Sequence, residues 1–291
     1  MQGIIIKGIG GFYYVSDGSG EPVECKAKGS FRNQELKPLV GDRVEFSLDP
    51  RTGKGFIEQL MPRRNELIRP AVANMDQALI LVSAKTPQFH PGLLDNFLLW
   101  MGCQGVDTLI GIGKIDLDPE EHFREIEEVY RGAGFPVLPY SARTGEGLEE
   151  LRRHLTGKTT VLAGASGVGK STLLNALIPG AAMETGELSR KLARGKHTTR
   201  HSEIFVLDQS SYLLDTPGFT SLETPELTEQ EVGQYYPEFL KEGESCRFPD
   251  CLHLKEPDCL VRARVKAGQI ARSRYESYER NLEEIRSRRK Y

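Results

Sequence analysis

The stretch Gly164-Ala165-Ser166-Gly167-Val168-Gly169-Lys170-Ser171 fits the pattern G-x-x-x-x-G-K-[ST] of a phosphate-binding loop. The apolar run Thr159–Ala163 before it indicates a buried strand, and Thr172–Leu177 after it indicates a helix. Glycines let the backbone wrap around a phosphate, and the helix N-terminus directs its N–H groups at the anion. A glycine-rich turn without a ligand is the alternative. The candidate binding residues are Gly164, Ala165, Ser166, Gly167, Val168, Gly169, Lys170, Ser171 and Thr172.

Two side chains of this loop have expected chemical roles. Lys170 is expected to contact the β- and γ-phosphates and to take part in catalysis, and the Ser171 hydroxyl to bind Mg²⁺. The sequence therefore predicts that the chain binds a nucleoside triphosphate together with Mg²⁺.

The composition indicates a globular protein with a sizeable core. The chain has 291 residues, of which 38% are hydrophobic and 27% charged, and this length favours about two or three domains. A net charge of −3 gives no global sign of a nucleic-acid partner, so any such surface must be local. A membrane-spanning apolar run and a signal peptide are not apparent in the sequence. We expect a cytoplasmic protein without membrane contact.

Residues 1–68 are expected to form a small all-β domain. Short β-prone runs alternate with turn signals such as Ser16–Gly20 and Asp49–Gly53. About five closely spaced strands in this length favour a closed barrel of the OB-fold type. The runs are Ile4–Ile6, Gly11–Val15, Val23–Ala27 and Arg43–Ser47.

Basic and aromatic residues are interleaved in this first domain. The combination suits RNA, since aromatic rings stack on bases and basic groups bind phosphates. The alternative is a structural barrel whose aromatic side chains form its core. Arg63–Pro70 is expected to be a polar linker to the next domain. The residues considered are Phe12, Tyr13, Tyr14, Phe31 and Phe56, with Lys26, Lys28, Arg32, Lys37, Arg43 and Lys54.

Residues 69–222 carry an alternation of strands and helices. Gln77–Ser83 and Thr108–Ile112 are continuous apolar runs, as expected of buried parallel strands. Leu93–Gly102 has apolar residues at helical spacing, and Glu120–Arg131 indicates a second, charged helix. The alternation predicts a three-layer α/β sheet.

The second of these strands leads into Gly113-Lys114-Ile115-Asp116. In GTPases the matching motif is Asn-Lys-x-Asp, whose carboxylate accepts hydrogen bonds from guanine N1–H and the exocyclic amine. Lys114 is expected to cover the base and Asp116 to select guanine. Gly113 lacks the amide that would contact guanine N7 and tie the loop to the phosphate loop, so we expect weaker affinity. Ser141-Ala142 matches the Ser-Ala pair that contacts guanine O6 through a backbone N–H.

Residues 184–202 are polar and lack apolar periodicity, which favours a switch segment over a basic surface loop. Thr199, or alternatively Thr198, is expected to bind Mg²⁺ and to sense the γ-phosphate. A predicted hairpin over 203–214 then ends in Asp215-Thr216-Pro217-Gly218, the D-x-x-G signature. Asp215 is expected to hold the Mg²⁺ shell, and the Gly218 N–H to contact the γ-phosphate.

Phe219 follows this glycine, at the position where GTPases such as Ras carry the Gln that orients the attacking water. Because Phe cannot orient water, we expect slow intrinsic hydrolysis and a catalytic group from elsewhere. His197 and His201 are candidates, since a neutral imidazole can accept a proton. Exposed loop histidines are the alternative.

The motifs occur in a circularly permuted order. A standard GTPase runs from the phosphate loop through the switch threonine and D-x-x-G to the guanine motifs. This chain begins the same cycle at Lys114 and Asp116, passes Ser141, and only then reaches the phosphate loop. Permutation is tolerable because domain termini usually lie close together at the surface.

Residues 223–291 are expected to form a mostly helical domain with a metal site. Cys246, Cys251, His253 and Cys259 supply three thiolates and an imidazole, which suits a closed, tetrahedral, structural Zn²⁺ site. Free thiols with an unrelated histidine are the alternative. The tail that follows is basic, and a solvated helix with i,i+4 ion pairs or contact with RNA both remain open. Its basic residues are Arg262, Arg264, Lys266, Arg272, Arg274, Arg280, Arg286, Arg288, Arg289 and Lys290.

Together these motifs resemble those of the small-subunit-dependent, circularly permuted GTPases of the RsgA/YjeQ family. The resemblance spans an OB-fold barrel (1–68), a permuted GTPase domain (69–222) and a zinc domain (223–291). It implies a GTPase that binds GTP and GDP with Mg²⁺, is stimulated by the small (30S) ribosomal subunit and acts in its late maturation. It also implies contact of the flanking domains with ribosomal RNA, and we expect a monomer.

Two other classes of function remain as alternatives. One is a P-loop ATPase or metabolite kinase, against which Asp116 argues because such enzymes need no guanine-selecting carboxylate. The other is a zinc-stabilised RNA-binding scaffold with vestigial nucleotide binding.

Overall fold

The computed structural model describes residues 1–18, 20–28, 31, 37–67, 71–178, 203–208, 210–215, 224–239 and 243–288. The chain divides into two compact units. The first comprises residues 1–78, 150–163 and 170–218, and the second comprises residues 79–149, 164–169 and 219–291. Within the described ranges, every helix is too short or too polar to cross a membrane. The predicted domain boundaries at 68/69 and 222/223 fall outside the described residues and stay predictions.

The first unit contains a closed five-strand barrel. Pairing runs in the order β1-β2-β3-β5-β4, and β4 returns to β1. Alternate side chains point inward, as in other small barrels, and Ile5, Val15 and Ile57 are fully buried. The predicted OB-like barrel is therefore confirmed. Its strands are β1 (Gln2–Ile9), β2 (Phe12–Ser16), β3 (Val23–Ala27), β4 (Arg43–Leu48) and β5 (Gly55–Leu60).

The segment after the barrel is packed against it. Two short strands, β6 (Glu66–Leu67) and β7 (Val72–Ala73), pair antiparallel, and Leu67 is fully buried. Arg63 donates from Nε to the buried carboxylate of Asp42 at 2.7 Å. The predicted polar linker therefore includes a short strand and a buried leucine, and Arg63 is held by its ion pair, whereas Arg64 and Glu66 stay exposed as a polar linker predicts.

The next part of the chain alternates strands and helices. β9 lies between β8 and β10, β9 and β10 are parallel, and every residue of β8 is buried, so the predicted α/β architecture is confirmed. The elements are β8 (Gln77–Ser83), α1 (Pro91–Cys103), β9 (Asp107–Gly113), α2 (Phe123–Gly132) and β10 (Val137–Tyr140).

Two helix starts follow from local chemistry. α1 has proline at its first position, where the missing N–H costs nothing. α2 starts three residues later than predicted, where the Asp118 carboxylate accepts the N–H of Phe123 at 2.9 Å.

The phosphate-loop strand belongs to the first unit up to residue 163. β11 is parallel to β13, and β13 is antiparallel to β12, which confirms the predicted hairpin. The elements here are α3 (Leu148–Leu155), β11 (Thr159–Gly164), α4 (Lys170–Leu177), β12 (Glu203–Val206) and β13 (Tyr212–Asp215).

The last part of the second unit is helical, as predicted. It has α5 (Glu229–Val232), α6 (Leu260–Lys266) and α7 (Arg272–Arg288). Thr228 and Glu231 form a capping box that starts α5. The helices enclose a core that includes Val232, Tyr236, Phe239, Val261, Tyr278, Leu282 and Ile285.

Candidate functional site

The phosphate loop joins β11 to α4. Gly164 has φ +147°, and a Cβ atom there would lie 2.6 Å from the carbonyl oxygen of Leu81. Only glycine fits this backbone conformation and this close approach. Ser166 and Gly167 are exposed, whereas Val168 is buried and anchors the loop. The loop therefore presents its backbone to solvent at the point where a phosphate is predicted to bind.

Three of the residues that the sequence predicts to recognise guanine lie together in the second unit. Lys114 has a left-handed backbone (φ +64°) and donates from Nζ to the carbonyl oxygens of Thr86 at 2.6 Å and Gly167 at 2.7 Å. Ser141 donates from Oγ to Asp116 Oδ1 at 2.7 Å. Lys114 thus links the guanine motif to residue 167 of the phosphate loop, and Ser141 orients the Asp116 carboxylate.

The protonation state of Lys114 reflects this environment. Burial lowers the pKa of its ammonium group, and the carboxylate of Asp116 opposes that shift. Ala142, the other half of the Ser-Ala pair, is half-buried beside the fully buried Ser141.

Lys170 and Asp215 lie within the first unit. β11 and β13 are parallel with Leu162 opposite Asp215, so Asp215 is placed at the carboxyl end of its strand. Burial lowers the pKa of Lys170, and the negative charge of Asp215 raises it. Ser171 and Thr172 follow in the first turn of α4. The hydroxyl of Ser171 and the carboxylate of Asp215 are the oxygen ligands that Mg²⁺ prefers.

The remaining predicted site residues lie outside the described residues. They are His197, Thr198, Thr199 and Gly218, together with His201 and Phe219.

A second site is formed by Cys246, Cys251, His253 and Cys259, whose ligand atoms all lie within 4.8 Å of one another. The Nδ1 atom of His253 is 3.5 Å from Sγ of both Cys246 and Cys259, and these two sulfurs are 4.0 Å apart. A tetrahedral Zn²⁺ with bonds of about 2.3 Å holds its sulfur ligands about 3.8 Å apart. The cluster therefore has the dimensions and donor set of a structural zinc site.

The surroundings of this cluster hold it in place. Tyr275 donates to the carbonyl oxygen of His253 at 2.6 Å, and Tyr278 to that of Leu252 at 2.7 Å. Burial lowers the pKa of His253, which favours the neutral imidazole that metals bind. Burial also raises the pKa of the Cys251 thiol, and a bound cation would favour its thiolate form.

Three residues with roles around these sites were not singled out by the sequence. Thr86 offers only its carbonyl oxygen to Lys114, and backbone acceptors carry no sequence signal. Tyr140 lies against the glycine of the guanine motif. Arg274 was grouped with the basic tail, yet its side chain is 1% exposed and is paired with Asp95 and Glu238.

Five of the ten basic residues of the tail form ion pairs with acids in the described part of the chain. Arg264 pairs with Glu244, Arg272 with Glu276, and Arg286 with Glu229. Two of the described pairs, Arg272–Glu276 and Arg288–Glu284, have the i,i+4 spacing of a solvated helix. Arg289 and Lys290 lie outside the described residues.

Comparison with known proteins covers the whole chain. Residues 60–225 match the family model described as RsgA GTPase, and residues 2–57 match that of the RsgA N-terminal domain. The "Small ribosomal subunit biogenesis GTPase RsgA" of Alkaliphilus metalliredigens is 47% identical over 291 residues, which are 100% of this chain and 99% of that protein. The protein of the same name from Clostridium perfringens is 45% identical over 289 residues, 99% of each chain.

Two solved structures are similar over the same extent. The crystal structure of YjeQ from Thermotoga maritima is 38% identical with a TM-score of 0.82 and covers 98% of each chain. YloQ, described as a circularly permuted GTPase, is 36% identical with a TM-score of 0.79, covering 99% of this chain and 95% of its own.

Proposed function

The chain belongs to the RsgA family of GTPases, and on this basis we propose that it hydrolyses GTP to GDP and phosphate during late maturation of the small ribosomal subunit. The observation that carries the proposal is the contact of Lys114 Nζ with the Gly167 carbonyl oxygen at 2.7 Å. This contact supports the proposal because Lys114 and Gly167 belong to two motifs that a GTPase needs side by side and that stand in permuted order in this sequence.

The base is selected by Asp116. Its carboxylate accepts from guanine N1–H and the exocyclic amine, and the hydrogen bond from Ser141 at 2.7 Å fixes its orientation. Lys114 covers the base, while the N–H of Ala142 contacts guanine O6. Adenine offers Asp116 no such pair of donors, so these residues favour GTP over ATP.

The phosphates are held by the loop and Lys170. N–H groups of residues 164–172 bind the phosphate oxygens, and the Lys170 ammonium neutralises charge that develops on the γ-phosphate. Ser171, Thr199 and Asp215 would hold Mg²⁺, and the ion would supply further charge neutralisation at the phosphates. The Gly218 N–H contacts the γ-phosphate, and His197 is the candidate that orients the attacking water.

One face of the barrel is the proposed contact with ribosomal RNA. Phe12 lies opposite Lys26, which lies opposite Phe56, across β2, β3 and β5. Phe56 is 40% exposed, and Lys26 Nζ lies 5.0 Å from the Phe12 ring centroid. An exposed ring and a half-buried ring with a cation between them suit base stacking and phosphate contact. Phe31 is buried and belongs to the core.

The proposed protein has three domains: the barrel (1–68), the GTPase domain (69–222) and the zinc domain (223–291). The zinc domain is stabilised by one Zn²⁺ on Cys246, Cys251, His253 and Cys259. We also propose a cytoplasmic monomer that binds the subunit in its GTP state and is released after hydrolysis.

The test is GTP hydrolysis by the full-length protein, alone and with purified small or large ribosomal subunits, with ATP as control nucleotide. We expect slow hydrolysis alone and strong, GTP-specific stimulation by the small subunit. Lys170→Ala should abolish both rates. Equal use of ATP would favour the ATPase or kinase alternative, and subunit binding without any nucleotide dependence would favour the scaffold.

A further inference from the structure

Tyr140, the last residue of β10, lies against the part of β9 that leads into the guanine motif. It pairs with Gly113 in the parallel register, and its side chain is 2% exposed. A Cβ atom on Gly113 would lie 2.8 Å from the Tyr140 hydroxyl oxygen and 2.9 Å from Cζ, and one on Gly111 would lie 3.2 Å from Cε1. These separations are below ordinary van der Waals contact. The ring therefore fills the space above Gly113, and it shares the space above Gly111 with Leu81.

Gly113 stands where most GTPases carry the Asn whose amide contacts guanine N7. The amide atoms of an Asn are two bonds from its Cβ, and the Tyr140 oxygen lies at a similar distance, 2.8 Å, from the corresponding Cβ position. A phenol donates a hydrogen bond as an amide N–H does, and guanine N7 is an acceptor. The Tyr140 hydroxyl can therefore make the same hydrogen bond to guanine N7 that an Asn amide makes.

We propose that Tyr140 takes the place of the missing Asn, with its hydroxyl donating to guanine N7 and its ring holding the Lys114–Asp116 loop in position. The inference rests on the proposed binding of guanine nucleotides.

The neighbouring contacts agree with this role. Ser141, the residue after Tyr140, donates a hydrogen bond to Asp116. The hydroxyl of Tyr140 and the carboxylate of Asp116 are therefore positioned by neighbouring residues of the same segment. Lys114 provides the link to the phosphate loop that the Asn amide would otherwise make. Burial raises the pKa of Tyr140 well above its ordinary value, so the phenol keeps its donor proton throughout the neutral range.

The test compares GDP with 7-deaza-GDP, in which a carbon replaces N7. Dissociation constants are measured for the full-length protein by competition with a fluorescent GDP analogue. We expect the wild-type protein to bind GDP about three- to tenfold more tightly than 7-deaza-GDP, the value of one neutral hydrogen bond. Tyr140→Phe should weaken the binding of GDP, leave the binding of 7-deaza-GDP unchanged and so abolish the preference for GDP. Tyr236→Phe, which removes another buried hydroxyl away from the candidate sites, should keep this preference.

Two outcomes would overturn the inference. One is a Tyr140→Phe protein that retains the full preference for GDP over 7-deaza-GDP. The other is equal weakening of both ligands, which would indicate a general structural effect. A wild-type protein that binds ADP as tightly as GDP would contradict the proposed function instead, so the two failures are distinguishable.

A second pair of variants tests the steric relationship. Gly113→Asn should weaken GDP binding, because its side chain meets the Tyr140 ring. Gly113→Asn combined with Tyr140→Ala should recover a preference for GDP over 7-deaza-GDP that Tyr140→Ala alone lacks. Tighter GDP binding by Gly113→Asn with Tyr140 intact would contradict the proposal.

Discussion

Arg274 in α7 donates from Nη1 to Oδ1 of Asp95 in α1 at 2.5 Å, although 179 positions separate them in the chain. Both side chains are 1% exposed. Arg274 also pairs with Glu238 at 2.7 Å, and Tyr130 donates to the same oxygen of Asp95 at 2.8 Å. Burial alone would lower the pKa of Arg274, but the two carboxylates outweigh it and raise the pKa. A charged, buried cluster thus joins the helical C-terminal region to the α/β layer.

Removal of this arginine should destabilise the protein strongly. Arg274→Met leaves two carboxylates buried without a counter-charge, which costs about 3–5 kcal/mol. Thermal and urea unfolding, followed by circular dichroism, should show a markedly lower midpoint.

The matched control for this variant is Arg272→Met, two residues earlier on the same helix. Its side chain is 86% exposed and pairs with Glu276, so the change should stay within about 0.5 kcal/mol. Equal unfolding midpoints for the two variants would contradict the role assigned to the buried cluster.

Zinc should be bound at one ion per chain and should stabilise the C-terminal region. Cys251→Ser removes one of four ligands and should abolish stoichiometric zinc in the purified protein, as measured by elemental analysis. Cys103→Ser, which changes a cysteine outside the cluster, should leave the zinc content at one. Chelation of the wild-type protein should lower its thermal midpoint, and an unchanged midpoint would argue against a structural ion.

Asp116→Asn should alter which base is bound. The substitution removes the charge of the carboxylate that accepts the two hydrogen bonds from guanine. These charge-assisted hydrogen bonds are worth about 1.5–3 kcal/mol, so GTP affinity should fall roughly 10- to 100-fold. An amide can instead complement xanthine, so XTP should become the preferred nucleotide. Asp107→Asn, at an exposed position at the start of β9, the strand that precedes Asp116, is the control. Unchanged GTP affinity in Asp116→Asn would exclude this residue from base selection.

Single-stranded RNA should bind to the barrel face that carries Phe12 and Phe56. Stacking on an aromatic ring is worth about 1–3 kcal/mol per base, so each alanine substitution should weaken binding of an RNA oligonucleotide at least several-fold. Lys26→Glu should also reduce the salt dependence of binding, because a phosphate contact is lost. Val206→Ala, an exposed apolar position on β12, is the control. Equal RNA affinity for all four variants would place the contact elsewhere.

The sequence predicted those features whose signals are local. Only glycine fits position 164, because φ is positive there and the carbonyl oxygen of Leu81 lies close. The continuous apolar run of β8 follows from the burial of both faces of that strand. The spacing of Cys246, Cys251, His253 and Cys259 likewise anticipated a cluster within ligand distance.

Predictions from polarity were less successful. The polarity of residues 63–70 predicted a linker and gave no sign that Arg63 forms an ion pair with the buried Asp42 or that Leu67 is fully buried. Arg274 resembled its exposed neighbours in the basic tail, because helical spacing alone does not show which other helix lies against a given face.

The sequence by itself determined the phosphate-loop motif, the permuted order of its companion motifs and the candidate zinc ligands, since each depends on residue types at short, fixed spacing. Only the tertiary structure decided that Tyr140 fills the space above Gly113 and that Arg274 meets Asp95. The first depends on the register of two parallel strands, and the second on the packing of two helices remote in sequence. Such pairings are set by the whole arrangement of buried surfaces, which no local pattern encodes.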